Sequence, residues 1–370
     1  MNKICIIIKS LEVGGTEKAL INMLNEMENI DYNVDLFLLE NKVDLIDELP
    51  NWVSTKVINE FNDIQKEVYG VPYKVIGKLF KELNLFRGFH LLLIYLFSKL
   101  TNDRGVYHKY FLKYLPSLLN NYDIAIAYSG PFDFISSFVL KKIEARKKIQ
   151  WIHFDVSNIN FDINYARKYY NKFNQIIVVS KSSKQQLLKK IPELYNKIKV
   201  IPNMINVRYC IEQAKLYNPY LDSLEKFKIL TVGRLSPEKG QLIIPKIVMQ
   251  LLKLSQKNFK WYIVGDGVDF KELNNIVNKN NLQKYIVLTG KEKNPYPYFK
   301  DCDLYVQTSL HEGFCITVAE ALFFNKYIIS TNITGVIDQI DQIEKGILVN
   351  YDVQEFTNVI KNILEVGYEN

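Results

Sequence analysis

The strongest chemical signal is the run Ser309-Leu310-His311-Glu312-Gly313-Phe314-Cys315-Ile316-Thr317-Val318-Ala319-Glu320-Ala321-Leu322. Glu312 falls in a loop before a helix and Glu320 about two turns along it, so both carboxylates can face one side. Gly313 permits a tight turn, and the amides of Cys315, Ile316 and Thr317 fall at the helix N-terminus, where N–H groups and the helix dipole favour phosphate oxygens. A carboxylate beside bound phosphate is electrostatically unfavourable, so these acids suit hydrogen bonds from sugar hydroxyls. A bare pair at this spacing is more often a cap and an exposed helix residue, and it gains meaning only from its companions.

Two companions stand at strand-to-helix turns. Gly233-Arg234-Leu235-Ser236-Pro237-Glu238-Lys239-Gly240 follows the apolar run Lys228–Val232. From there Arg234 can offer a planar fork and Lys239 a point charge to a diphosphate leaving group. Taken alone, this segment is as readily a solvated basic loop. Gly14-Gly15-Thr16-Glu17 follows Ile4–Ile8. Its glycines let backbone approach an anion at a helix start, although a bare Gly-Gly is more often a plain turn and this is not the GxGxxG fingerprint.

The elements that must hold these loops alternate short apolar strands with longer helical patterns, as parallel βαβ units do. In the first half the strands are Ile4–Ile8, Val34–Leu39, Ile124–Tyr128, Lys148–Ile152 and Gln175–Val179. The first helix runs from about Glu17 to Met27, and residues 60–120 are mostly helical. The series restarts near residue 226 with Lys228–Val232, a helix over Gln241–Leu254, and strands Trp261–Val264, Ile286–Leu288, Leu304–Gln307 and Tyr327–Ser330, the last clear one. A chain of 370 residues fits two domains, placed at 1–202 and 203–370. Both are expected to be doubly wound α/β folds that face an interdomain cleft, with ligands bound there beyond the carboxyl ends of the strands.

Composition narrows the partners. A content of 48% hydrophobic and 24% charged residues excludes a disordered or low-complexity chain. The net charge of +7 lies wholly in residues 1–200, with 28 basic against 21 acidic side chains, while residues 201–370 balance at 19 each. Residues 64–120 alone hold nine basic groups, among them Lys74, Lys78, Lys81, Arg87 and Lys113, against Glu67, Glu82 and Asp103. That stretch suits an anionic surface. Cys5, Cys210, Cys302 and Cys315 form no CxxC pair, so neither a zinc site nor a disulfide framework is expected. Met1-Asn2-Lys3 leads into a short strand rather than a signal peptide, which implies a cytoplasmic location. The apolar run Phe89–Phe97, bounded by Arg87 and Lys99, is too short to span a bilayer but long enough to lie on one.

The set GGTEKAL, GRLSPEKG, VGDG at Val264–Gly267 and EGFCITVAEAL, in this order over nearly the whole chain, resembles the retaining GT-B glycosyltransferases of family four, especially bacterial enzymes of capsule, exopolysaccharide or O-antigen assembly. The resemblance implies two Rossmann-like domains, the first binding acceptor and the second a nucleotide sugar. Gly14, Gly15 and Thr16 would approach the acceptor, with Gly15 also near the donor phosphate, and Arg234 and Lys239 would clamp the diphosphate. Glu312 would meet donor-sugar hydroxyls and Glu320 the ribose, beside Phe314, Cys315, Ile316 and Thr317. His153, after the strand Lys148–Ile152, matches the family's cleft histidine, and Gly290 and Lys291 stand where members contact the base.

The implied reaction moves a hexose or N-acetylhexosamine from a nucleotide diphosphate, UDP being expected, to a lipid-linked saccharide. It proceeds by front-face displacement with retention, needs neither metal nor cofactor, and involves no nucleic acid. Asp301-Cys302-Asp303 imitates a DxD metal motif but directly precedes a strand, so it is read as structural. Asp338 replaces the family's commoner Glu. After Val353–Val366 the chain ends, so a long crossing helix is expected to be shortened or absent. Residues 64–120 are read as a surface for anionic lipid, with an internally packed helical subdomain as the alternative. Rival functions are a nucleotide-sugar epimerase on the same fold and a catalytically silent partner subunit.

Overall fold

The computed structural model describes residues 2–27, 32–129, 133–157, 161–221, 226–340 and 343–366. The chain folds as two compact units, Met1–Pro202 and Asn203–Asn370.

In chain order the first unit holds β1 (Asn2–Ile8), α1 (Gly15–Glu26), β2 (Tyr32–Leu38), β3 (Val53–Val57) and the helices α2 (Phe61–Tyr69), α3 (Pro72–Lys81), α4 (Leu85–Leu100) and α5 (Arg104–Leu112). Then come β4 (Leu118–Ser129), α6 (Asp133–Lys142), β5 (Ile143–Ile152), α7 (Ile163–Tyr169), β6 (Gln175–Val178), α8 (Lys181–Lys190) and β7 (Ile198–Val200). The strands form one parallel sheet in the order β3-β2-β1-β4-β5-β6-β7. Cys5, Ile6 and Ile7 of β1 are fully buried, as a central parallel strand covered on both faces requires.

The second unit continues with α9 (Val207–Gln213), β8 (Phe227–Val232), α10 (Ile244–Leu254), β9 (Phe259–Val264), α11 (Phe270–Lys279), β10 (Ile286–Gly290) and α12 (Tyr296–Asp301). It closes with β11 (Leu304–Gln307), α13 (Ile316–Phe323), β12 (Tyr327–Thr331), α14 (Thr334–Ile340), β13 (Gly346–Val349) and α15 (Val353–Val366). Its parallel sheet runs β10-β9-β8-β11-β12-β13. The helices cover both faces of the sheet. Ile247, Val248 and Leu251 of α10 join Trp261 and Phe356 in one core, and Val318 and Ala321 of α13 join Tyr262 and Tyr305 in another.

Strand order reverses between β1 and β4 in the first unit and between β8 and β11 in the second. At such a reversal the connections leave in opposite directions, which opens a crevice beyond the carboxyl ends of the two strands. The loops singled out for chemistry leave β1, β8 and β11, so topology alone places each at such a point.

The architecture matches the expected doubly wound α/β class, with local corrections. Edge strands β3, β7 and β13 escape the sequence reading, because β3 is half exposed with an alternating pattern and the others hold three and four residues. Helix α1 starts at Gly15, two residues earlier than expected, with Gly14 in extended backbone as its cap. The helix expected from Gln241 opens as a 3₁₀ turn over Gln241–Ile243 before α10.

The first unit also buries a polar chain behind its sheet. His108 Nδ1 lies 2.9 Å from Ser137 Oγ, which meets the Tyr165 hydroxyl at 2.5 Å, and Tyr165 donates to the Asp133 carbonyl at 2.9 Å. Burial first, then Arg104 and Lys141, lowers the His108 pKa to about 3. Since the unfolded chain takes up that proton near pH 6.5, stability is lost as pH falls from there toward 3. Asp133 opposes this trend, because burial raises its pKa to about 6. In His108→Gln, which keeps a polar group beside Ser137, the loss of unfolding free energy between pH 7 and pH 5 should shrink by about 2 kcal/mol in urea titrations. An unchanged pH slope would refute the assignment.

Candidate functional site

In the second unit the loop after β8 and the loop after β11 are stitched together. The Leu310 amide donates to the Glu238 carbonyl at 2.8 Å, and the Thr308 hydroxyl donates to the Lys239 carbonyl at 2.9 Å. The VGDG segment braces the first loop from the other side. Gly233 donates to the Val264 carbonyl and Leu235 to the Asp266 carbonyl, each at 3.0 Å. Gln241 adds a bond from Nε2 to the Arg234 carbonyl at 2.9 Å. Gly240 ends the 3₁₀ turn Pro237–Lys239 with φ +65, and a Cβ there would lie 2.5 Å from the Thr308 carbonyl oxygen. Only glycine meets both the left-handed backbone and the close approach.

These ties bring Lys239 and Glu312 together. The Lys239 ammonium donates to Glu312 Oε1, and the two side chains are 23% and 11% exposed. Ser309 donates to the same Oε1 at 2.8 Å, Gln307 Nε2 reaches it at 3.5 Å, and the Cys315 thiol at 3.8 Å. Gln307 is itself held by the Tyr305 hydroxyl at 2.5 Å and the Thr317 hydroxyl at 3.3 Å, both on Oε1. Burial disfavours the Lys239 charge, but the Glu312 carboxylate outweighs it and raises the lysine pKa above its ordinary value. Burial, followed by the charge of Glu312, raises the Cys315 thiol to about 12, so it stays protonated at neutral pH. Arg234 stands exposed on the same loop as Lys239.

The remaining residues of the motif are arranged differently from the sequence expectation. Cys315 is the cap of α13 and its amide donates to the Gly335 carbonyl at 3.3 Å, so it is already engaged, while Ile316 and Thr317 occupy the first helical turn. Glu312 lies in the loop before the helix, as expected, and because the helix begins at Ile316, Glu320 falls in its second turn. Glu320 is 2% exposed and bonds the buried Tyr296 hydroxyl, whose pKa is raised by burial and then by that carboxylate. Glu312 and Glu320 thus have separate partners. Gly290, with φ +79, gives its carbonyl to the Gly265 amide at 2.9 Å, and Lys291 is exposed beside it. Asp303 accepts from the Lys228 backbone amide at 2.7 Å and braces β8, as the structural reading of Asp301-Cys302-Asp303 expects.

In the first unit Gly14, Gly15 and Thr16 start α1 beyond β1, and His153 directly follows β5. His153 stacks on Trp151 at 5.9 Å and lies 4.2 Å from the Tyr128 ring at the end of β4. It is buried, and neither ring nitrogen has a hydrogen-bond partner among the described residues. Burial lowers its pKa to about 3, so the imidazole is neutral at physiological pH, with one donor and one acceptor. The sequence reading assigned no role to Gln307 or Tyr296. Gln307, a polar residue at the carboxyl end of an apolar strand, carries a legible signal; the bond of Tyr296 to Glu320 depends on tertiary contact.

This arrangement belongs to a class, the GT-B fold, with two parallel-sheet α/β domains. A crystal structure of TarM from S. aureus, in complex with fondaparinux, α-GlcNAc-glycerol and UDP, superimposes with a TM-score of 0.71 at 15% identity, covering 99% of this chain and 93% of that one. Residues 213–369 match the family described as Glycosyl transferases group 1, and the second unit is a domain of that family. An uncharacterised glycosyltransferase of Methanocaldococcus jannaschii, MJ1059, is 32% identical over 173 residues, 45% of this chain and 42% of that protein. The Campylobacter jejuni N-acetylgalactosamine-N,N'-diacetylbacillosaminyl-diphospho-undecaprenol 4-alpha-N-acetylgalactosaminyltransferase is 28% identical over 184 residues, 50% of this chain and 48% of that one. The chain thus spans less than half the length of either curated relative.

Replacing Gly240 tests the scaffold. Gly240→Ala should lower the stability of the second unit by more than about 1 kcal/mol, from the left-handed backbone and the clash with Thr308. Gly77→Ala, at an open helical position, should not destabilise. Equal denaturation midpoints for the parent and Gly240→Ala would refute the close-approach argument.

Proposed function

We propose that the chain transfers a hexose or N-acetylhexosamine from a nucleotide diphosphate sugar, UDP being the expected nucleotide, to a lipid-linked saccharide in surface-polysaccharide assembly. The observation that carries this reading is the Lys239–Glu312 pair, held by Ser309 and Gln307 where strand order reverses. The name of the Campylobacter relative, which includes diphospho-undecaprenol, supports the acceptor class, and the UDP bound to TarM supports the nucleotide.

The barrier in such a transfer is charge that develops on the departing diphosphate. Groups held in place beforehand stabilise it without reorganising during the reaction. Lys239 has three donors; one engages Glu312 and the others serve phosphate oxygens, while exposed Arg234 adds a fork from the same loop. The first-turn amides of Ile316 and Thr317, beside Phe314 and Cys315, add dipole and donors.

Glu312 holds its four contacts on Oε1, and its Oε2 accepts from donor-sugar hydroxyls. Glu320 serves the ribose, Gly290 and Lys291 the base, Gly14, Gly15 and Thr16 the acceptor, and His153 the reacting sugar as a neutral imidazole. Displacement on the front face retains the anomeric configuration. With the cationic role filled by Arg234 and Lys239, the reaction requires neither metal nor cofactor.

Turnover of UDP-glucose, UDP-galactose, their N-acetyl forms and GDP-mannose, with the acceptor or with water, tests the reading. Lys239→Met should lower kcat by about 10²–10³-fold. The double variant Lys239→Met/Glu312→Gln, which leaves no unpaired buried charge, should melt near the parent yet remain equally inactive. Near-parental turnover in either variant would remove the clamp role. Chelation with EDTA should leave activity unchanged, and a loss restored by Mn²⁺ would refute metal independence.

A further inference from the structure

Helix α4 is apolar on both sides. Its inner face buries Gly88 and Leu91, with Gly88 seated against the Phe80 ring of α3. Its outer face carries Phe86, Phe89, Leu93, Leu96, Phe97 and Leu100 at spacings of three and four, a single stripe along the helix. All six are exposed, Phe86 to 86% and Leu100 to 85%, and Leu83 at the turn before the helix is 82% exposed. A helix apolar all round is ordinarily enclosed, and a contiguous exposed patch of this kind marks an interaction surface.

The charge around the stripe selects the occupant. Lys74, Lys78 and Lys81 of α3 and Lys99 of α4 are exposed. Among the described residues, Arg87 is tied to Glu67, an acid outside the hairpin, at 2.7 Å, and Glu82 pairs with Lys78 at 3.5 Å. Two copies joined through this face would oppose like charges, whereas anionic headgroups would neutralise them. No described helix is long and apolar enough to cross a membrane, and the 16 residues of α4 make a rod about 24 Å long, suited to lying in the interface plane.

We propose that α4 is an insertion helix, its outer stripe immersed at the acyl boundary of an anionic bilayer while the lysines of the α3–α4 hairpin meet the headgroups. The inference gives a place to the lipid-linked acceptor proposed above but stands on separate residues. It narrows the basic stretch 64–120 to one hairpin and adds apolar insertion to charge attraction.

The test is flotation of the purified chain with vesicles of phosphatidylcholine containing phosphatidylglycerol and no glycolipid, so that its failure is independent of the enzymatic reading. The parent should float with these vesicles. Phe86→Glu/Leu93→Glu/Phe97→Glu, at exposed positions, should weaken binding at least about tenfold with its melting temperature and turnover of a water-soluble donor retained. Replacing Lys74, Lys78, Lys81 and Lys99 by Gln should weaken binding by about fivefold per lysine and reduce its salt sensitivity. Unchanged flotation of the glutamate variant would overturn the proposal. So would a parent that ignores vesicles but sediments as a dimer that the glutamates dissociate, since the face would then belong to a second copy.

Discussion

The second unit is organised around a carboxylate and an ammonium held together with little water. Removing charges from water is costly, and a partly buried pair persists only where further hydrogen bonds satisfy what the partner does not. Ser309, Gln307, Tyr305 and Thr317 do this for Glu312, in a chain that runs from the β11 strand end to the first turn of α13. Packed hydrophobic residues of the same volume would stabilise such a site as well or better. The pair therefore makes sense as a means of holding one cation at a defined point, with its charge kept by the carboxylate.

That placement in turn depends on backbone that has little freedom. The two loops approach so closely that a methyl at Gly240 would meet the Thr308 carbonyl, and α14 presses on the second loop so that a methyl at Gly335 would lie 2.5 Å from the Glu312 carbonyl. Neither loop can shift without moving the other. The Cys315 amide, bound to Gly335, ties the start of α13 to the same cluster. Helix-end donors and the lysine are thus referred to one frame, which electrostatic preorganisation requires.

Much of this was legible in the sequence because central parallel strands are apolar on both faces and end abruptly at polar loops. Leu304–Gln307 and Val353–Val366 have the bounds expected of them, and both glycine-bearing turns fall at strand ends. The edge strands were hidden by their shortness and by side chains that divide between core and solvent, as in β3. The engagement of the Cys315 amide by Gly335, and of Glu320 by Tyr296, joins residues about twenty positions apart. Spacing along one helix carries no information about such partners, so a free Cys315 amide was a reasonable expectation that a tertiary contact displaced.

Helix α4 shows the same limit from the other direction. The run Phe89–Phe97 is apolar whichever way it is turned, and periodicity cannot say which side meets the core when both sides are hydrophobic. Packing decides it: Phe80 and the α3–α4 hairpin take Gly88 and Leu91, leaving Phe86, Phe89, Leu93 and Phe97 outward. An exposed stripe of this size raises the risk of self-association in water, and lysines along its border limit it by repulsion. The same lysines would draw the face to any surface of opposite charge. A membrane satisfies both requirements at once, since it accepts the apolar stripe and neutralises its border without asking the helix to give up its packing against the sheet domain.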